Sequence, residues 1–541
     1  MSKKAKQSLL IGALTSSFGI FVSKMLGLFY VVPLNSLAGE GNMVFYSIAY
    51  TYYDLLLKVC GAGIPFAIAA MVAKYYSRED YKTVLLIKKL GSSLLLISSF
   101  VIALFFVAFS YPLASNVMGE TAIESDIIAL NNLFKILAIA LVLVPYLSSV
   151  RGYYQGLKCL GIYASSQVIE QFVRVFSIIF LGYITVSIFR FDSIYAIYMA
   201  MLSAAIGAFI TIIYLHINTR NENHDIKELA LNQQYNEKSA VSILSEMLSL
   251  GIPYLIISFL GTASSLVNSN FFMSYATGIG VEYNTAKLVL GILQVNCNKI
   301  AAIPQVVTLG FSAGLVPYLT EDLESHNYKA LANHILDILD TVLFILIPVV
   351  TWLVIYAKPV YYIMYGNSNL DLGTEIFIVS SLTTLTDTIA PIISSTCITL
   401  RERKSTIIVL LISALAKFVS FFILIKLFGY NGMIYSTALA SMIAIILNLY
   451  IIKRHYHVRY GRIFRRLIVT VFGAILSCLP LLLMFFGLSF NYQSRLLCIL
   501  MLGVFGALSL LIYLVYSTYT GMFEMIFRKS PVSYIKKMIK K

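Results

Sequence analysis

Two charged residues stand inside a membrane-length apolar run near the start of the chain. Asp54 and Lys58 lie four residues apart within residues 44–73, so a helix would place them on one face. A charge near the middle of a bilayer costs about 2.5–3.5 kcal/mol. We therefore expect both side chains to face a polar or protein-lined interior of a helical bundle. The alternative is a structural ion pair between the two, near the membrane interface.

Glycines and prolines accompany this pair and occur at similar places elsewhere. Gly61, Gly63 and Pro65 follow the two charges and weaken the hydrogen bonding of a helix. Together with Gly27 in the first apolar run and Pro304 in the eighth, they are predicted hinges of a cavity that opens to one membrane face at a time. Close packing of neighbouring helices is the alternative role of each glycine.

Three lysines are the strongest candidates for binding a substrate. Lys24, Lys58 and Lys299 fall in the first, second and eighth apolar runs, beside glycine- or proline-bearing segments. Ammonium groups that converge on one cavity would suit an anionic headgroup, a pyrophosphate above all, because each supplies a compact charge and three donors. The alternative is that they snorkel to an interface or pair with carboxylates.

Other polar residues in apolar runs form a supporting set. Glu170 and Arg174 are four residues apart, which predicts an ion pair that locks the fifth run. Five amides of the seventh and eighth runs could bind sugar or peptide groups, or join helices at about 0.6 kcal/mol per hydrogen bond. These amides are Asn268, Asn270, Gln294, Asn296 and Asn298. The remaining intramembrane ionisable residues are Lys135, Glu246, Lys287, Glu375, Asp387 and Lys417.

The composition identifies an all-α polytopic membrane protein. The chain has 541 residues, of which 59% are hydrophobic and only 12% charged. The first apolar run is too long for a cleaved signal peptide, so we expect it to remain as a span. Runs of about 20 residues predict fourteen spans. Their limits are 9–34, 44–73, 90–110, 127–150, 162–186, 193–216, 246–275, 286–316, 333–357, 374–400, 406–427, 432–452, 467–487 and 496–517.

Basic residues set the expected orientation in a cell membrane. Most of the 40 lysines and arginines fall in alternate loops and in both termini, which predicts cytoplasmic N- and C-termini. The net charge of +15 is therefore spread over one membrane face, where it meets anionic lipid headgroups. It does not indicate a nucleic-acid partner.

Weak internal matches predict two six-helix repeats of equal orientation. An offset of 246 residues aligns Pro145 with Pro391 and Lys158 with Lys404. Transporters built from repeats bind their substrate between the halves. The predicted domains are an N-lobe (1–217), a cytoplasmic linker (218–245), a C-lobe (246–455), two further helices (456–520) and a basic cytoplasmic tail (521–541).

The sequence carries no signature of a cofactor or of an enzyme. It contains no Gly-x-x-x-x-Gly-Lys-[Ser/Thr] loop for ATP, and its six cysteines have no metal-ligand spacing. We expect no cofactor, no metal and no catalytic residue. Uphill transport would then draw on the membrane potential or on an ion that the sequence does not identify.

Three stretches resemble a family of exporters. The run Pro-Tyr-Leu-Ser-Ser-Val-Arg-Gly-Tyr-Tyr-Gln-Gly-Leu-Lys, with Gln-Val-Ile-Glu-Gln-Phe-Val-Arg-Val after it, lies within residues 145–175. It resembles the polysaccharide-exporter branch of the multidrug/oligosaccharidyl-lipid/polysaccharide (MOP) superfamily. Phe-Val-Ser-Lys-Met-Leu-Gly at 21–27 and Lys-Ile-Ala-Ala-Ile-Pro, followed by Leu-Gly-Phe-Ser-Ala-Gly-Leu-Val-Pro, within 299–317 are similar to the lipid II flippase (MurJ) group in its Gram-positive SpoVB/YtgP-like form.

The resemblance implies a flippase that moves undecaprenyl-pyrophosphate-linked peptidoglycan precursor from the inner to the outer leaflet by alternating access. It implies two lobes around a cationic cavity, a groove for the lipid tail at the last two spans, and contact with cell-wall synthesis machinery. Lys24, Lys58 and Lys299 match positions that the family fills with basic residues. Tyr30 stands where some members have a second arginine.

Three other functions remain open at this point. The protein could export another lipid-linked polysaccharide unit, since any such substrate needs a pyrophosphate site. A cation-coupled multidrug antiporter would need a carboxylate-rich site, for which Asp54, Glu170 and Asp387 are candidates. A scaffold of a division or sporulation complex would need no transport site at all.

Overall fold

The protein is an all-helical membrane protein, as its composition predicts. The computed structural model describes residues 26–27, 30–61, 63–120, 122–157, 159–233, 238–302, 304, 319, 322–323, 325–486 and 490–527. Within these ranges the secondary structure is helical and contains no strand. The helices form two compact units, Met1–Val295 and Asn296–Lys541.

An apolar core joins several helices of the first unit. Ile68 and Met71 of α3, Val84 of α4 and Tyr153 of α6 are buried in this core. The helices are α1 (Val31–Ala38), α2 (Glu40–Gly61), α3 (Ile64–Tyr76), α4 (Tyr81–Ala108), α5 (Ser110–Met118), α6 (Glu124–Gly156), α7 (Leu160–Tyr183), α8 (Ile194–Asn218), α9 (Arg220–Leu231), α10 (Ala240–Gly261), α11 (Ala263–Gly278) and α12 (Tyr283–Gly291). Short π-helical segments follow α7 at Ile184–Ile188 and α12 at Ile292–Cys297.

The second unit has a core of its own. Leu346 of α13, Cys397 of α15 and Ile452 of α17 are buried in it. The helices are α13 (Tyr328–Ile355), α14 (Ala357–Tyr365), α15 (Leu370–Thr399), α16 (Arg403–Phe428), α17 (Asn431–Tyr456), α18 (Gly461–Leu476), α19 (Arg495–Tyr519) and α20 (Met522–Phe527). A 3-10 segment, Leu479–Phe486, follows α18.

Eleven helices of the described ranges are long and apolar enough to cross a membrane. The polytopic helical class is therefore confirmed, whereas the count of fourteen stays a prediction. The first predicted span lies mostly outside the described residues, and so does the second half of the eighth.

The predicted span 44–73 is two helices rather than one. α2 ends at Gly61, and α3 begins at Ile64 with Pro65 in its first turn. A proline in that position removes no helical hydrogen bond, because the first N–H groups of a helix have no partner within it. The helix is therefore interrupted directly after the turn that carries Lys58. That this interruption acts as a hinge stays a prediction.

Gly63 is the point where the start of α3 meets α10. A Cβ atom on Gly63 would lie 2.0 Å from the carbonyl oxygen of Gly251, a backbone atom that no rotamer change can move. The glycine is thus required for close helix packing, the alternative that the sequence left open.

Substitution of Gly63 by alanine is expected to destabilise the protein. The added methyl group forces α3 and α10 apart, and such overpacking costs about 1–3 kcal/mol of unfolding free energy. Gly27→Ala is the matched control, because its Cβ would meet only the flexible Gln171 Nε2 at 3.0 Å. Thermal unfolding of the purified variants measures both effects. Equal melting temperatures for Gly63→Ala and wild type would show that the crossing is not tight.

The same series of helices occurs in both units. α4, α5 and α6 have 28, 9 and 33 residues, and α13, α14 and α15 have 28, 9 and 30. Pro145 and Pro391, which the sequence offset aligns, lie inside α6 and α15. The next two helices pack together in each unit, α7 with α8 and α16 with α17. This recurrence supports an internal repeat. The predicted domain limits, which assign 246–295 to the C-lobe, stay a prediction.

Candidate functional site

The ion pair permitted by the spacing of Asp54 and Lys58 is present in the last turns of α2. Lys58 Nζ lies 2.6 Å from Asp54 Oδ2 and donates a second hydrogen bond to Thr262 Oγ1 at 3.0 Å. The Lys58 side chain is 32% exposed and the Asp54 side chain 43% exposed. Lys58 is therefore held in place without being sealed off, and one of its three N–H bonds is still available.

Lys58 opens onto a cavity of about 350 Å³ inside the first unit. Its walls come from α2, α3, α4, α6 and α7. The lining residues are Leu57, Lys58, Pro65, Phe66, Leu95, Val144, Pro145, Ser148, Arg151, Gly152, Gln155, Tyr163 and Gln167. The internal Pro145 of α6 has no backbone N–H, so the continuous helix lacks one hydrogen bond at the level of the cavity.

Among the described residues, the two charged side chains that line this cavity are both basic. Lys58 supplies an ammonium group and Arg151 a guanidinium group, while Gln155 and Gln167 add neutral donors and acceptors. The carboxylates that hold the two cations, Asp54 and Glu170, are not part of the lining. The cavity therefore presents positive charge and amide groups within an apolar bundle, a composition suited to an anion with polar substituents.

Arg151 is a site residue that the sequence reading missed. The predicted fourth span ends at residue 150, which places Arg151 in a cytoplasmic loop, but α6 continues to Gly156 and carries Arg151 on the helix. Its Nη1 donates to Glu170 Oε2 at 2.6 Å, and its Nε and Nη2 donate to the hydroxyl and carbonyl oxygens of Ser166 at 2.9 and 2.7 Å. Its partners lie on α7, so no spacing within α6 signals the site.

The predicted pairing of Glu170 with Arg174 is wrong. Glu170 binds Arg151, and the Arg174 guanidinium lies over the rings of Tyr50 and Tyr53, at 5.8 and 6.0 Å from their centroids. A cation over an aromatic face gains about 0.5–2 kcal/mol, so the tyrosines of α2 can compete with a carboxylate one helical turn away. α7, the predicted fifth span, thus contacts α6 through the Glu170 ion pair and α2 through the Arg174 side chain.

The amides of the seventh and eighth spans mainly join helices. Gln294 Oε1 accepts hydrogen bonds from Ser47, Thr51 and Ser269, each at 3.2 Å. Asn270 Oδ1 accepts one from Tyr52 at 2.5 Å, and Asn268 is buried. These bonds tie α2 to α11 and to the segment after α12, which fits the alternative of helix-to-helix contacts. A direct role in binding stays a prediction.

The lining of this cavity, as far as the described residues form it, does not include the other two predicted lysines. Lys24 lies outside the described residues. Lys299 is partly buried and Asn298 exposed in the second compact unit, and Pro304 is buried there. Convergence of Lys24, Lys58 and Lys299 on one site therefore stays a prediction.

Comparison with known proteins identifies a family and several relatives of the chain. The family model described as polysaccharide biosynthesis protein matches residues 9–323. Lipid II flippase MurJ from Bacillus subtilis (strain 168) is 27% identical over 480 residues, 87% of each chain. Stage V sporulation protein B of the same strain is 24% identical over 376 residues, 69% of each chain.

Solved structures show the same fold. A lipid II flippase MurJ in an inward closed conformation has a TM-score of 0.67 at 17% identity, covering 95% of this chain and all of the other. An inward-facing multidrug resistance MATE family transporter of the MOP superfamily has a TM-score of 0.64 at 12% identity, covering 80% and 94%. The resemblance drawn from the sequence motifs is confirmed. Because the matched segment exceeds half of its length, the chain belongs to the polysaccharide biosynthesis protein family.

Proposed function

We propose that the protein is a flippase for lipid II, an undecaprenyl-pyrophosphate-linked cell-wall precursor. It moves this lipid from the cytoplasmic to the outer leaflet by alternating access. The observation that carries the proposal is the cavity with Lys58 and Arg151 as its two charged lining residues. The similarity to the MurJ protein of Bacillus subtilis supports the choice of substrate.

The cavity has the chemistry that a pyrophosphate headgroup requires. Lys58 offers a point charge, and Arg151 has two of its five N–H bonds left after those to Ser166 and Glu170. Gln155, Gln167 and Ser148 can bind sugar hydroxyls or peptide groups beside the charges. A drug cation would find no carboxylate to pair with among the described lining residues.

Export of another undecaprenyl-linked saccharide is the second candidate. The observation in its favour is Tyr30, which takes the place of an arginine found in some MurJ-type proteins. Tyr30 is buried and shares a 2.6 Å hydrogen bond between its hydroxyl group and that of Tyr46. It therefore adds no positive charge to a headgroup site.

Genetic complementation tests the proposal. A bacterium depleted of its own lipid II flippase should grow when it expresses this protein and should lyse when it expresses an inactive variant of equal abundance. Growth rescue only in a mutant lacking a different lipid-linked polysaccharide exporter would replace the first candidate with the second.

The proposed location is the cell membrane, with both termini in the cytoplasm and cell-wall synthesis enzymes as neighbours. A cysteine at Asn367, an exposed residue between α14 and α15, is expected to react with an impermeant thiol reagent added to intact cells. A cysteine at the exposed Arg403 should react only after lysis. The native cysteines set the background in both cases. The reverse pattern would invert the topology.

A further inference from the structure

The Lys58 ammonium group has a second anchor besides Asp54. This anchor is Thr262, whose Oγ1 accepts a hydrogen bond from Lys58 Nζ at 3.0 Å, while Asp54 Oδ2 lies 2.6 Å from the same nitrogen. Asp54 is on the same helix as Lys58, one turn before it, whereas Thr262 lies between α10 and α11. The lysine is therefore held from two different parts of the first unit.

The position of Thr262 is fixed by the two helices that it joins. α10 ends at Gly261 and α11 begins at Ala263, so Thr262 forms the junction between them. Its N–H donates to Phe259 O at 3.0 Å, and its carbonyl oxygen accepts from Leu266 N at 3.1 Å. The residue is only 4% exposed, and its β-branched side chain has few rotamers. Thr262 therefore offers Lys58 an acceptor whose place is set by the packing of the bundle.

The hydroxyl group of Thr262 does not cap α11. Thr262 occupies the N-cap position, where a threonine side chain commonly accepts from a backbone N–H of the first turn. No such bond is formed within the described residues, and the oxygen accepts from Lys58 instead. The side chain contact thus points to a role at the lysine rather than in capping the helix.

Two anchors determine the direction of the remaining N–H bond of Lys58. An ammonium group is tetrahedral, and with Asp54 alone it could rotate about its Cε–Nζ bond. The bond to Thr262 stops this rotation. Lys58 is among the described residues that line the cavity, and neither Asp54 nor Thr262 is, so the third N–H bond is the one left for a ligand there. A hydroxyl group supplies this anchor without a negative charge that would repel an anion.

We propose that Thr262 is a positioning residue, which holds the Lys58 ammonium group in the orientation that binds the pyrophosphate of the substrate. Because this headgroup is the one assigned above, the inference rests on the proposed flippase function. Thr262 does not touch the pyrophosphate and acts only through Lys58. Removal of its hydroxyl group should therefore weaken pyrophosphate binding only while the lysine is present.

A double-mutant cycle tests this dependence. Binding of inorganic pyrophosphate to the purified full-length protein is measured by isothermal titration calorimetry for wild type, Thr262→Val, Lys58→Gln and the double variant. Valine has the shape of threonine without its hydroxyl group and should weaken binding about 10-fold, the lower end of the value of a hydrogen bond from a charged donor. In the Lys58→Gln background the same change should have no further effect. Thr262→Ser, which restores the acceptor, should bind pyrophosphate like wild type.

Thr211→Val is the matched control. Thr211 is also a buried threonine of the first unit, but its hydroxyl group donates to Gly207 O of its own helix at 2.7 Å. This change should leave pyrophosphate binding unchanged. Melting temperatures of all variants separate a loss of binding from a loss of folding. If Thr262→Val does not fold, Thr262→Cys takes its place, because a thiol is a weaker acceptor than a hydroxyl group, and it must show the same dependence on Lys58.

Three results would overturn the role of Thr262. They are equal binding by Thr262→Val and wild type, an equal loss in the presence and absence of Lys58, and absence of pyrophosphate binding by wild type. The flippase function has a separate test, because growth rescue by the wild-type protein does not depend on this cycle. Rescue together with any of the three results would leave the flippase function standing and Thr262 without this role.

Discussion

Transport is expected to be lost when Lys58 is replaced by alanine or glutamine and to be kept in part when it is replaced by arginine. A hydrogen bond from a charged donor to a pyrophosphate is worth about 1.5–3 kcal/mol, so a neutral side chain weakens binding by about 10- to 100-fold. Arginine keeps the charge but not the compact shape of the ammonium group. The assay is growth of the flippase-depleted strain at matched protein levels.

Lys74→Gln is the control for Lys58. Lys74 also forms an ion pair in the first unit, with its Nζ 2.6 Å from Glu246 Oε1. It does not line the cavity, and its side chain is 42% exposed. Exposed pairs contribute about 0–1 kcal/mol, so this change should leave growth intact. Normal growth with both neutral Lys58 variants would mean that the Lys58–Asp54 pair is only a structural contact.

The Arg151–Glu170 pair separates stability from binding. Arg151→Met leaves Glu170 as an unpaired charge with only 19% of its side chain exposed, and should cost up to about 3 kcal/mol of unfolding free energy. Adding Glu170→Met removes that unpaired charge and should restore the melting temperature. Transport should remain lost in the double variant, because the cavity then lacks one of its two cations.

Two comparisons make this prediction decisive. The single variant Glu170→Met measures the loss of unfolding free energy when Arg151 has no carboxylate partner but its positive charge still lines the cavity. Transport recovered together with stability in the double variant would mean that Arg151 only joins α6 to α7. Stability unchanged in all three variants would mean that the pair contributes nothing to folding.

The all-helical membrane class could be predicted from the sequence, and so could an ion pair between residues one helical turn apart, because hydropathy and helical spacing are local properties. The Asp54–Lys58 pair follows from its four-residue spacing. Gly61, Gly63 and Pro65 indicate a weak point in the predicted span 44–73, but not that it divides into two helices. The same rule failed for Glu170 and Arg174, since each had a better partner on another helix. Spacing along one helix cannot reveal Arg151 or the tyrosine rings.

The cavity was harder to predict for a similar reason. Lys58, Pro145, Arg151 and Gln167 are distant in sequence and meet only because α2, α6 and α7 pack together. The sequence identifies Lys417 as an intramembrane charge, but its three acceptors on α17 depend on the packing of α16 against that helix. Sequence patterns indicate which charges need partners, and tertiary contacts determine the partners.

Flipping in a purified system tests the central claim most directly. Proteoliposomes are prepared with a fluorescent undecaprenyl-pyrophosphate disaccharide pentapeptide, and an impermeant reductant is added to quench the label in the outer leaflet. With wild-type protein we expect quenching to extend to both leaflets, and with Lys58→Gln to stop at the outer one. Quenching confined to the outer leaflet with correctly folded wild-type protein, across pH gradients and membrane potentials of either sign, would contradict the assignment as a lipid II flippase.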